Sequence, residues 1–305
     1  MGEADEFEAH RRHLLGVAYR MLGSWAEAED AVQETWLRWT TADRSGVESA
    51  RGWLTTVTGR ICLDVLRSAR VRRESYVGPW LPEPLVERLA DPLAMDPGEK
   101  AARTDEVNVA LLAVLEKLTP EQRVAFVLHD VFDVPFEQVA ATLGGSVEAA
   151  RQLASRARRA VKADTPKHTA ELAEQRTVLT AFLRACREGD LEGLLAVLAP
   201  DVTFVGDGGG AAPAIRVPIV ELPKVARFLL GLGRRAVTEG NVTAEPVLVN
   251  GDLGVMFHYE AQDLTSVMSF AYADGRVTAI QNQLNPAKLT HVPEPDRGHS
   301  VWPVR

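Results

Sequence analysis

Arg151, Gln152, Ser155 and Arg156 fall on one broad face if "VEAARQLASRARRAVK" (147–162) is a helix, because residues three and four apart are neighbours there. The groups they carry suit one kind of chemistry. A guanidinium can grip guanine through two donors, and a carboxamide can pair with adenine. Arg158, Arg159 and Lys162 come next, at positions suited to phosphates, which orient a protein on a duplex without specifying sequence. This concentration of Arg stands in a chain of formal net charge -8. A basic helix end can also do no more than complement its own dipole, so the neighbouring elements decide between the two readings.

The preceding stretch "FEQVAATLGG" (136–145) reads as a short helix with Phe136, Val139, Ala140 and Leu143 on its inner side. Gly144 and Gly145 permit a sharp corner, and Ser146 can cap the next helix. This is the form of a helix-turn-helix, whose second helix enters the DNA major groove. Upstream, Thr119-Pro120-Glu121 starts a helix with Pro at its first position.

Two further regions must support this module. Residues 5–75 read as three helices. Leu14, Leu15, Ala18, Tyr19 and Leu22 mark the first, and Ser24 with Glu27 has the form of a capping box for the second. On that second helix the pattern puts Ala28, Ala31, Val32, Trp36 and Leu37 on one face and Glu27, Asp30 and Glu34 on another. The third begins near Trp53 and ends in Arg67, Arg70, Arg72 and Arg73. Residues 76–100 carry Pro79, Pro82, Pro84, Pro92 and Pro97, which argue against a long regular helix there. This linker keeps Trp80, Leu81 and Leu85, which points to docking on a partner surface. A second helical block spans 101–164. From 170 to 290 the character changes to helices followed by strand-like runs, with Asn250-Gly251 and Asp274-Gly275 as tight turns. That order predicts an α+β domain with an antiparallel sheet. Residues 291–305 read as a loose tail.

The chain has 305 residues, of which 46% are hydrophobic, enough for several buried cores. Cys62 and Cys186 lie among apolar neighbours and read as buried free thiols, which fits a reducing compartment. Neither metal-ligand spacing nor an apolar run long enough to span a bilayer is present. The expectation is a cytoplasmic protein without cofactor or metal.

The two helical blocks together resemble the extracytoplasmic-function sigma factors. "AYRMLGSWAEAEDAVQETWLRW" and "RGWLTTVTGRICLDVLRS" resemble sigma region 2, and "LEKLTPEQRVAFVLHDVFDVPFEQVAATLGGSVEAARQLASRARRAV" resembles sigma region 4. The resemblance implies a subunit that directs core RNA polymerase to promoters. It implies that Glu27, Asp30, Gln33 and Glu34 meet the polymerase. Trp53, Arg60, Arg67 and Arg70 would lie along the opened −10 strand, and Arg151, Gln152, Ser155, Arg156 and Arg159 would lie at the −35 element. Beyond them, "FLRACREGDLEGLLAVLAPDVTFVGDGGG" resembles the start of a SnoaL-like domain, a curved sheet with helices around a cone-shaped pocket. The branch of the family that carries such a domain has three signatures. One is complete here, at Trp80, Leu81, Pro82, Glu83 and Pro84. Asp207, Gly208, Gly209 and Gly210 are followed by Ala211 where Lys is expected, and Asn285, Pro286 and Lys288 flank Ala287 where Asp is expected. Any salt bridge between those two charged positions is therefore expected to be missing. The resemblance implies that these segments dock on the linker and regulate the factor in cis.

Two other readings compete. A ligand-sensing helix-turn-helix regulator would bind palindromic sites as a dimer and have no use for the acidic 27–34 helix. A pocket enzyme fused to a DNA-binding module would draw on His258, Asp207, Asp263 or Tyr259, although a strand His beside Tyr is more often a satisfied core residue. The leading expectation is a sigma factor, not an enzyme, with core polymerase and promoter DNA as partners. It is monomeric when free, with space for an unidentified small ligand in its last domain.

Overall fold

The computed structural model describes residues 3–73, 76–89, 109–164, 170–239 and 242–294. They form two compact units. The first comprises Met1–Ser75 and Leu111–Thr165, the second Tyr76–Ala110 and Pro166–Arg305.

The first unit is helical: α1 (Glu3–Leu22), α2 (Trp25–Thr41), α3 (Ala50–Arg73), α4 (Val109–Leu115, which crosses the division), α5 (Pro120–Phe126), α6 (Phe136–Leu143) and α7 (Val147–Asp164). A π-helical turn, Val127–Val131, extends α5. Local chemistry sets the boundaries. Ser24 Oγ accepts from Glu27 N at 3.2 Å to start α2. Thr119 and Gln122 form a reciprocal capping box ahead of Pro120. Leu14, Val17, Met21, Ala28, Val32, Trp39 and Leu54 are buried in the core of α1–α3. Leu37 departs from the sequence expectation, being 53% exposed. Nine residues at about 100° each put it opposite Ala28, and Thr35 and Trp39 fill the inner face instead. Arg123 on α5 is buried, its guanidinium donating to Met21 O (2.9 Å) and Glu116 Oε1 (2.6 Å).

The second unit contains α8 (Leu172–Glu188), α9 (Leu191–Val197), α10 (Leu222–Glu239) and seven strands. These are β1 (Val86–Arg88), β2 (Leu198–Asp207), β3 (Ile219–Val220), β4 (Val242–Val249), β5 (Asp252–Tyr259), β6 (Leu264–Ala273) and β7 (Arg276–Gln283), in the order β1-β4-β5-β6-β7-β2-β3. The sheet is mixed, correcting the antiparallel expectation: β2 runs parallel to β7. Parallel neighbours need a long crossover, and here β3, α10 and strands β4–β6 lie between them in sequence. The linker itself contributes β1, an edge strand paired with β4. One sheet face packs on α8–α10 around Phe182, Leu194, Phe204, Leu229 and Phe270. Val247, Val249, Met256 and Val267 form a smaller cluster, covered by Val86, Leu289 and Val292.

Cys62 and Cys186 are buried free thiols. Burial raises both, Cys186 to about 12. Among the described residues no helix is long and apolar enough to cross a membrane, and no group of three or more His, Cys, Asp or Glu could hold a metal ion.

Candidate functional site

Helix α7 is amphipathic in a simple way. Ala150, Ala154 and Ala157 are buried against the unit, which leaves Arg151, Gln152, Ser155, Arg156 and Arg159 exposed together. The corner before it is built as glycine allows. Gly144 adopts φ 69, its N–H caps α6 through Ala140 O, and Gly145 N reaches the same carbonyl at 3.0 Å. Ser146 Oγ then accepts from Ala149 N at 3.1 Å. Arg151 lies 5.6 Å from the Phe136 ring centroid, and Gln152 donates to Glu148 at 3.3 Å. Arg158 is ion-paired with Asp130, so it is less free for a phosphate than its neighbours.

On α2, Asp30 and Gln33 are exposed and Glu27 and Glu34 half-buried. Glu34 also binds Arg38 at 2.9 Å. Exposed Leu37 lies beside these acidic residues, an apolar side chain that the periodicity reading placed on the inner face. The α3 residues are partly engaged already. Trp53 packs on Trp39 with ring centroids 5.2 Å apart. Arg60 Nη2 donates to Ala141 O at 2.9 Å, and Arg67 binds Glu121 at 3.0 Å, so both guanidiniums reach the helices after residue 119. Gly59 makes room for that packing, since a Cβ there would lie 2.9 Å from Thr142 Cγ2. Arg70 lies on α3, but its side chain is outside the described residues.

The linker is held by a cluster of polar groups at the adjacent ends of β2 and β7. Asp207 is fully buried. Its Oδ2 accepts from Leu81 N (2.9 Å) and from Lys288 Nζ (2.8 Å), and its Oδ1 from Tyr76 OH (2.7 Å) and Gly209 N (3.0 Å). Lys288 also donates to Leu81 O at 2.7 Å and lies 3.9 Å from the Trp80 ring centroid. Gln283 Nε2 donates to Leu81 O (3.3 Å) and Pro82 O (3.2 Å), and Asn285 Nδ2 to Tyr76 OH (2.9 Å). Leu81, Pro82, Glu83 and Pro84 are buried, and Trp80 half-buried. Farther on, Leu85 exchanges bonds with Asn250, N–H to Oδ1 at 3.1 Å and O from N–H at 2.8 Å. Glycine is needed in the loop: a Cβ at Gly208 would strike Ala212 O, and one at Gly209 (φ 58) would strike Asn285. Gly210 (φ 78) packs near Val77, and Pro286 opens the short turn that carries Lys288.

No salt bridge can join positions 211 and 287, as expected, but a different pair that the sequence reading did not foresee is present. Ala211 and Ala287 are exposed, while the two charges that the motifs retain, Asp207 and Lys288, pair with each other. Sequence reasoning missed Tyr76 and Gln283. The run "QNQ" (281–283) within a buried strand is the available signal, because buried amides must find partners.

The enzyme-like residues do not converge. Asp207 serves the linker, His258 is buried with Nδ1 3.3 Å from Thr265 Oγ1, and Asp263 occupies an exposed left-handed turn at φ 46. Tyr259 lines a cavity under α10.

Comparison with known proteins matches these parts to families. Residues 7–72 match Sigma-70 region 2, 108–161 match Sigma-70 region 4, and 179–280 match a SnoaL-like domain. The chain is 44% identical to the ECF RNA polymerase sigma factor SigJ of Mycobacterium tuberculosis over 97% of this chain and 96% of that protein. It is 35% identical to a probable ECF RNA polymerase sigma factor, SigI, of the same species, over 93% of each. The crystal structure of M. tuberculosis SigJ superposes with a TM-score of 0.74 at 41% identity, covering 95% of this chain and 99% of that one. With regions 2 and 4 in order, a SnoaL-like domain after them and near-complete coverage of such relatives, the chain belongs to the ECF RNA polymerase sigma factors.

Proposed function

We propose that this sigma factor docks core polymerase through the acidic, Leu37-bearing surface of α2 and reads the −35 element with the exposed face of α7. Residues Trp53, Arg60, Arg67 and Arg70 of α3 serve the opened −10 strand. It acts as a single copy, in the cytoplasm where the polymerase works. The SnoaL-like domain has no catalytic part in this reading and regulates in cis by holding the linker. One observation carries the regulatory claim: the single buried carboxylate of Asp207 binds both the Leu81 backbone and the lysine that caps the same residue's carbonyl. A buried charge so committed is costly to release, so the linker between regions 2 and 4 is restrained by a domain outside both.

Run-off transcription by core polymerase tests this with full-length protein and Asp207→Asn. A change in transcript yield of about fivefold or more, the low end of ordinary coupling between sites, is expected while core polymerase binding persists. Equal yield from the two proteins would refute regulation through the linker.

A further inference from the structure

The second unit contains a cavity of about 640 Å³, inside the ~300–1,000 Å³ range of small-molecule sites. Its walls are mainly apolar, with Phe204, Ile215, Phe228, Leu232 and Leu264 among them. Three features look unfinished without an occupant. The first is Asn282. Its side chain is only 5% exposed and lines the cavity, yet its Oδ1 has no hydrogen-bond partner. A buried amide oxygen left so is costly, and since it has no surface open to the cavity as it stands, a ligand hydroxyl reaches it only when the amide turns. The second is Gly231, in the middle of α10, with no positive φ and nothing within 4 Å of the place a Cβ would take. Glycine costs a helix interior about 1 kcal/mol relative to Ala. Neither backbone geometry nor packing asks for it here, and what it supplies is empty space in the cavity wall. The third is Arg227 and Arg235, one helical step of four on either side of Gly231, which also line the cavity. Among the described residues neither guanidinium has a hydrogen bond or ion pair, in a chain of net charge -8.

The cavity and the linker clamp share two strands. Gly206 and Asn282 are paired in register and line the cavity, while the next pair, Asp207 and Gln283, holds the linker. Leu284 then lines the cavity, and Asn285 binds Tyr76. Successive strand residues point to opposite faces, so the clamp lies on the reverse of the cavity wall.

We propose that this cavity is an effector site for an amphipathic organic anion. Its acidic group lies against Arg227 and Arg235, its apolar body fills the space beside Gly231, and a hydroxyl meets Asn282. Occupancy is transmitted through β2 and β7 to the clamp on Leu81, a step that rests on the regulatory reading above.

The experiment uses the full chain with 8-anilinonaphthalene-1-sulfonate as probe and uncharged N-phenyl-1-naphthylamine as control. Titration by fluorescence is expected to give one saturable site for the sulfonate. Gly231→Leu should weaken both compounds by filling the space. Arg227→Gln with Arg235→Gln, both exposed and remote from the core, should weaken only the sulfonate, by roughly tenfold, the factor that about 1.4 kcal/mol supplies. Amide exchange at Leu81 should change on saturation with the sulfonate. Absence of a saturable site, or affinity indifferent to the paired Arg substitutions, overturns the site. Saturable binding that leaves Leu81 exchange unaltered overturns the coupling. Asp207→Asn does not touch the cavity, so its transcription result judges the regulatory reading separately.

Discussion

At the scale of single residues, Asp207 and Lys288 matter most. Each motif in the sequence retains one charge, and periodicity gives no reason to join residues 81 positions apart. Only the parallel pairing of β2 with β7 puts the end of one strand beside the turn after the other. The physical need appears only once burial is known: a buried aspartate requires a partner. Asp207→Asn leaves the Lys288 ammonium, whose side chain is 9% exposed, without its counter-charge. Removing one member of a buried pair costs about 3–5 kcal/mol, whereas replacing both with neutral groups of similar size costs far less. Urea denaturation followed through the second unit should therefore show a larger loss for Asp207→Asn than for Asp207→Asn with Lys288→Met. A single variant no less stable than the double would show that the pair is not what holds this site.

At the scale of elements, the helix-turn-helix was legible because its signals are local. Gly144, Ser146 and the alanines of α7 act within a few residues of themselves. The inner face of α2 was misread at Leu37, where apolar character outweighed the angular count. The edge strand β1 was not legible at all, because a strand of three residues is defined by its partner β4 and not by its own pattern. The exposed face of α7 gives a graded expectation. Arg151→Ala removes a candidate bidentate donor and should cost about 1–3 kcal/mol at the preferred −35 sequence while relaxing preference there. Lys162→Ala, at an exposed position proposed to meet phosphate, should weaken all sequences alike and lower the salt slope by about one. Holoenzyme binding to matched and mismatched duplexes across a salt series separates the two. Uniform loss from Arg151→Ala would remove it from the reading face. For α2, Leu37→Lys should weaken core polymerase capture without loss of thermal stability, since the side chain is 53% exposed and packs little in the free protein.

At the scale of the whole molecule, the order of regions was legible, but the packing inside the first unit was not. Arg67 meets Glu121 across 54 residues and Arg60 meets Ala141 across 81, so two residues suited to the −10 strand are occupied within the protein itself. Exposed contacts of this kind are worth about 0–1 kcal/mol each, weak enough for polymerase and DNA to displace them. If region 2 must leave region 4 before a promoter can be opened, locking them should abolish initiation. Gly59 and Thr142 offer the place, with a Cβ at Gly59 reaching to 2.9 Å from Thr142 Cγ2, close enough for cysteines to bridge. The native thiols do not compete below alkaline pH, because burial raises both above the usual value and keeps them protonated. That burial has its own consequence. A thiol that ionises later in the fold than in the unfolded chain leaves stability intact below about pH 9, and stability is lost as pH rises from there toward 12. Gly59→Cys with Thr142→Cys, oxidised near neutral pH, should stay folded yet give no run-off transcript with core polymerase, and a thiol reductant should restore it. Full transcription by the oxidised protein would mean that the −10 strand is engaged with regions 2 and 4 still packed together, and that Arg60 and Arg67 are not the residues that hold it.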